Sequence, residues 1–208
     1  MSASRDRSRV GRLAPVHPRP RLQRRIENPK ELLEKLPLVR GWIDRTLAEH
    51  SNRAQPVASY RFPRLGGFYS SEFLTTTKVV EVERVPVPPL SALGLTEFGE
   101  FETGNYAGIT FLDTYFVQSG EALRESLHFH ELVHVVQWQH LGAERFVMAY
   151  ALGYLQGGGY RANPLEVMAY DLQDYFEKGG QPIEVESFVR RQLDSLMPAF
   201  DLVLKGEL

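Results

Sequence analysis

The chain has no cysteine among its 208 residues, which excludes disulfides and thiolate metal sites and leaves any metal to nitrogen and oxygen ligands. A cysteine-free chain is compatible with cytosol and exterior alike. Long apolar runs are also missing: none approaches the roughly 18–20 residues of a membrane span. The first thirty residues lack the apolar centre of a secretory signal. The default expectation is therefore a soluble, cytoplasmic protein, with delivery by a specialised secretion system left open. No GxGxxG or Walker pattern surrounds Gly157-Gly158-Gly159, so this run reads as a connection between helices, or as a mobile border of a cleft, rather than as a phosphate cradle.

Acidic and basic residues nearly balance at a net charge of -2, but their distribution is uneven. Residues 1–25 hold eight arginines against Asp6 alone, a balance of +7, so the rest of the chain carries -9. Rich in Arg, Ser and Pro, residues 1–27 read as a disordered basic tail able to contact an anionic surface nonspecifically. Nothing else points to nucleic acid. Residues 28–208, in a chain with 43% hydrophobic content, are enough for a single domain with one sizeable core.

Four of the six histidines, His128, His130, His134 and His140, fall within thirteen residues. They include the pentapeptide His130-Glu131-Leu132-Val133-His134. On a helix, positions four apart lie one above the other, so His130 and His134 project toward one ion. Glu131 lies about 100° round the helix, beside that ion, where it can take a proton from a zinc-bound water. The flanking Leu127, Leu132, Val133, Val135, Val136 and Trp138 would bury this helix, and burying two histidines and a glutamate without partners costs several kcal/mol. A metal removes that cost.

A catalytic zinc usually takes three protein ligands and leaves a fourth position to water. His140 lies more than two turns from His130, and His128 faces nearly the opposite way. The downstream candidate is Glu166 in Asn163-Pro164-Leu165-Glu166. Asn163 as N-cap and Pro164 at the first helical position form a strong helix start. Two readings of Glu166 follow: it closes a capping box onto Asn163, or it is the third ligand, carried on a second helix beside the first.

An HExxH helix followed by a glutamate on a second helix resembles the gluzincin class of zinc metallopeptidases. More narrowly, His-Glu-Leu-Val-His-Val-Val-Gln, with Asn-Pro-Leu-Glu and Ala-Tyr downstream, resembles a family of small bacterial HExxH domains, some encoded with extracellular contractile injection systems. The resemblance covers roughly residues 100–178. It implies His130, His134 and Glu166 as Zn2+ ligands, Glu131 as general base, and a peptide or protein substrate. A strand before the active helix, at 107–112, is also implied, and a substrate peptide could add to its edge.

Several gluzincins place an Asp four residues after the ligand glutamate; here that position is Tyr170, with Asp171 next to it. Either residue, or a backbone carbonyl, could orient a ligand histidine. Gln137 falls on nearly the same helical face as His134. Tyr160, beside the glycine run, is the favoured oxyanion donor over Tyr150 and Tyr154. The alternative function is a non-catalytic protein-binding module with a structural or vestigial zinc.

The expected fold is α+β: a small β-sheet packed on a mainly helical, metallopeptidase-like core carrying the HExxH active-site helix. The pattern predicts a helix from Asn28 to Leu47, broken at Pro37. It predicts extended chain over 57–87, with Lys78–Val87 a strand. A second extended segment runs over 106–117, with Asp113-Thr114 a turn or bulge. Helices follow at about 121–141, 143–155, 163–178 and 183–196.

Overall fold

The computed structural model describes residues 29–205; the expected disordered tail lies outside the described residues. The α+β class is observed. Helix α1 (Pro29–His50) leads through strand β1 (Gln55–Pro56) and short helix α2 (Ser71–Thr76) to strand β2 (Lys78–Val82). A long connection containing helix α3 (Gly99–Glu102) reaches the hairpin of β3 (Gly108–Phe111) and β4 (Thr114–Gln118). Helices α4 (Glu125–Gly157), α5 (Pro164–Glu177) and α6 (Val185–Lys205) complete the chain.

The four strands form one mixed sheet in the order β1-β2-β4-β3. β2 and β4 run parallel, with Val80 opposite Phe116, and β3 returns antiparallel with Ile109 opposite Phe116. β4 is central, and its Tyr115, Phe116 and Val117 are fully buried. β3 is an edge strand paired on one side only. The β3–β4 turn is Leu112-Asp113, one residue earlier than the sequence pattern suggests. Leu112 takes φ 60 there, the positive value that the first residue of a two-residue hairpin turn requires.

Every residue of α4 from Leu127 to Trp138 is buried, which explains why this stretch is apolar nearly all round rather than along one stripe. The sheet covers one side of α4, and α5, α6 and α1 cover others. The two helices expected over 121–155 are joined into α4 but broken at Gly142, whose φ 74 and ψ 165 are not helical. That conformation favours glycine.

Three further departures have local causes. α1 runs unbroken through Pro37; the proline is exposed, so water can satisfy the carbonyl that its missing N–H leaves free. Residues 57–77 form 3-10 turns and α2 rather than extended chain, because the Ser70 hydroxyl caps α2 by accepting from Phe73 N at 3.2 Å and Phe73 and Leu74 turn into the core. β2 stops at Val82, where its partner β4 ends at Gln118.

Candidate metal centre

The first half of α4 brings His130 and His134 together at its buried face: their Nε2 atoms lie 3.1 Å apart. The start of α5 delivers Glu166 against them. Its Oε2 is 3.4 Å from His130 Nε2 and its Oε1 is 3.4 Å from His134 Nε2. For metal–ligand bonds of about 2.0–2.1 Å, the edge of a tetrahedron is about 3.3 Å. Each separation is near that edge, with the two imidazoles facing different oxygens of the carboxylate; one ligand atom from each residue lies within 4.8 Å of the others, so the group could hold a metal ion. His130 Nδ1 and Glu166 Oε2 are buried without a hydrogen-bond partner, and an ion at the convergence point would relieve the carboxylate oxygen.

Neighbouring groups hold two of these side chains in place. Gln137 Nε2 donates to the Leu165 carbonyl at 3.0 Å, which leaves Gln137 Oε1 to accept from His134 Nδ1 at 2.8 Å. A proton on Nδ1 frees the Nε2 lone pair of a neutral His134 to face the site. Tyr150 donates its hydroxyl to Glu166 Oε1 at 2.7 Å, so this tyrosine steadies the carboxylate. The ring of Tyr170 packs against His130 with centroids 4.5 Å apart, while Asp171 is exposed and takes no part.

The capping box is not formed. Asn163 alone caps α5, accepting from Leu165 N at 3.1 Å, while its own N–H bonds to the Tyr160 carbonyl. Glu166 is thus free to turn inward, where it is 2% exposed. Gly157 makes the return from α4 to α5 possible, since a Cβ there would meet the Ala162 carbonyl oxygen at 2.7 Å. Gly158 closes α4 in the left-handed region at φ 87.

Glu131 lies beside the group and receives the Thr110 hydroxyl on Oε2 at 2.7 Å. The Thr110 carbonyl accepts from Trp138 Nε1 at 3.1 Å, so Thr110 ties β3 to α4 both at Glu131 and at Trp138. Burial, only partly offset by His130, His134 and Thr110, raises the Glu131 carboxyl above its usual range. Without an ion, burial acts to lower His134, but Glu166, helped by Glu131 and Gln137, outweighs it and holds the imidazole up to about 9. Burial also disfavours the Glu166 anion, yet the two imidazoles pull it well below the ordinary carboxylate range.

The remaining histidines of the cluster face elsewhere. His128 Nε2 donates to the Ala122 carbonyl at 2.9 Å and its Nδ1 accepts from the Tyr115 hydroxyl at 2.6 Å, and burial lowers it to about 4. His140 meets Asp194 of α6 at 2.7 Å. Tyr160 borders the same cleft as Glu131, His134 and Glu166, and burial pushes its phenol well up, so it remains a hydrogen-bond donor. Tyr154 instead packs on Phe98 and Phe101.

Thr110, Trp138 and the Tyr150–Glu166 bond escape sequence reasoning. Tyr150 could be found only as one of several phenols between the HExxH pentapeptide and Glu166 in the sequence. No protein-family model, curated protein or solved structure matches the chain. Among the described residues, no helix is long and apolar enough to cross a membrane.

Proposed function

We propose that this protein is a zinc-dependent metallopeptidase of the gluzincin type, with His130, His134 and Glu166 as metal ligands and Glu131 as general base. The observation that carries the reading is the convergence of His130, His134 and Glu166, whose ligand atoms lie within 4.8 Å of one another, with a hydrogen-bonded carboxylate, Glu131, beside them. When bound, a zinc ion supplies Lewis acidity, lowering the pKa of water and polarising a carbonyl.

The chain's own residues do the rest. Glu131 Oε1, the oxygen that Thr110 leaves free, accepts the proton of the attacking water and returns it to the leaving amine. Tyr160 donates to the developing oxyanion, while Tyr150 stays committed to Glu166. The pairing phase of the hairpin, with Gln118 N donating to the Ala107 carbonyl, turns the backbone groups of Gly108 and Thr110 to the open edge of β3. Trp138 already occupies the Thr110 carbonyl, so a substrate strand would dock chiefly through Gly108 and the Thr110 N–H.

The second reading, a binding module with a structural or vestigial metal, draws on the burial of the group: His130, Glu131, His134 and Glu166 are 2–5% exposed. Against it stands the donor set, because structural zinc sites are closed by four protein ligands and need no base. Metal analysis of the purified protein, of Glu166→Ala and of Glu131→Gln separates them. Peptidase action requires about one zinc in the parent, strong loss in Glu166→Ala, and zinc retained with hydrolysis lost in Glu131→Gln. Biological activity unchanged in Glu131→Gln supports the binding module. Iron in place of zinc would redirect the reading to the oxygen chemistry of two-histidine, one-carboxylate sites.

A further inference from the structure

One cavity opens from the metal centre. Its volume is about 110 Å³, it is open to solvent, and it is bordered at one end by Glu131, His134, Glu166 and Tyr160. Away from that end it runs between three apolar walls. α1 supplies Val39 and Ile43, the connection before α3 supplies Leu95 and Phe98, and the second half of α4 supplies Val147 and Ala151. Among the described residues, the polar side chains along it are those at the metal end, the Thr110 hydroxyl, the Tyr106 and Tyr150 phenols and the Trp138 indole, whose N–H is taken by the Thr110 carbonyl; no lysine, arginine or aspartate lines it.

Such a space discriminates among the side chains that could enter it. A charged or amide group would lose its water and find no partner, at a cost of about 1–3 kcal/mol or more. A large apolar side chain gains by leaving water, and a glycine gains nothing. Because the cavity begins at the base and the ligands, its occupant belongs to the residue next to the bond being cleaved.

We infer that this cavity is the specificity pocket of the centre, and that the substrate is a polypeptide with a leucine- or phenylalanine-sized apolar side chain beside the scissile bond. The inference rests on the metallopeptidase reading. Val147 and Ala151, one turn apart on α4, are the positions whose size sets the room available. Ala151 is buried, whereas Val147 is only partly so, and enlarging Val147 therefore puts less of the core at risk.

The test uses zinc-loaded full-length protein and calorimetric titration with the hydroxamates of glycine, aspartate, leucine and phenylalanine, each of which can chelate the metal. Leucine and phenylalanine hydroxamates should bind about tenfold or more tighter than the glycine compound, and the aspartate compound no tighter than glycine. Ala151→Leu and Val147→Phe should each shrink the preference to about twofold, with zinc content and glycine hydroxamate affinity unchanged; the Val147 variant decides if the other fails to fold.

Equal binding of all four compounds by the parent protein overturns the pocket while leaving the metal reading intact, as does a preference that survives in Val147→Phe. A decanoyl hydroxamate binding tenfold tighter than the phenylalanine compound overturns it in favour of an acyl-chain site. No retained zinc and no hydroxamate binding overturn the metallopeptidase reading itself, and the pocket falls with it.

Discussion

Glycine at position 108 is set by Glu131. A Cβ there would come 2.8 Å from Glu131 Cδ and closer still to Oε1, so any side chain must displace the carboxylate that Thr110 holds. Gly108→Ala should therefore move the proposed base while leaving His130, His134 and Glu166 untouched. A displacement near 1 Å at a reacting group costs up to about 100-fold. The expected outcome is a fall in kcat of about tenfold to 100-fold, with zinc content unchanged, measured by steady-state peptide hydrolysis beside metal analysis. Full activity in this variant would detach Glu131 from the chemistry.

The same residues show what a sequence can and cannot convey. His130, Glu131 and His134 are legible because their spacing is local: one helical turn fixes their relative directions whatever the rest of the chain does. The contact of Gly108 with Glu131 is hidden, since it depends on β3 crossing over α4. Tyr150 reaches Glu166 from the second half of α4, beyond the break at Gly142, and no periodicity encodes that bend.

Among the elements, the joint between α4 and α5 places Glu166, the proposed third ligand, and Asn163 is its pin. Asn163 Oδ1 caps α5 through Leu165 N, and Nδ2 donates to the Tyr150 carbonyl at 3.0 Å. α4 leaves room for this at Gly153, where a Cβ would meet Asn163 Oδ1 at 2.6 Å. Loss of a cap costs about 1 kcal/mol and loss of a buried hydrogen bond about another. Asn163→Ala should thus destabilise the protein by about 2 kcal/mol, a fall in Tm of about 4–8 °C at this size. Zinc affinity should fall as well, because the start of α5 carries Glu166; calorimetry on parent and variant reads both. The helix start itself was legible from Asn163-Pro164. By contrast, α2 was not, because six residues are too few to show a helical period against the valine-rich strand that follows.

At the scale of the whole molecule, the proposed ion bridges two helices of one continuous core, drawing two ligands from α4 and one from α5. An unfolded chain holds Glu166 32 or more positions from the two histidines and does not present the three together, so metal binds the folded state preferentially and stabilises it by mass action. At a free zinc concentration 100 times the Kd, the gain is about 2.7 kcal/mol. For a domain of this size that corresponds to a rise in Tm of about 5–10 °C over the chelator-treated protein. Glu131→Gln should show the same rise, since its side chain is no ligand, whereas Glu166→Ala should show little. Melting curves with zinc and with chelator for all three proteins give the comparison. A parent protein whose Tm is indifferent to zinc would reduce His130, His134 and Glu166 to a buried ion pair, the state in which Glu166 holds the His134 imidazole up to about 9 without any metal.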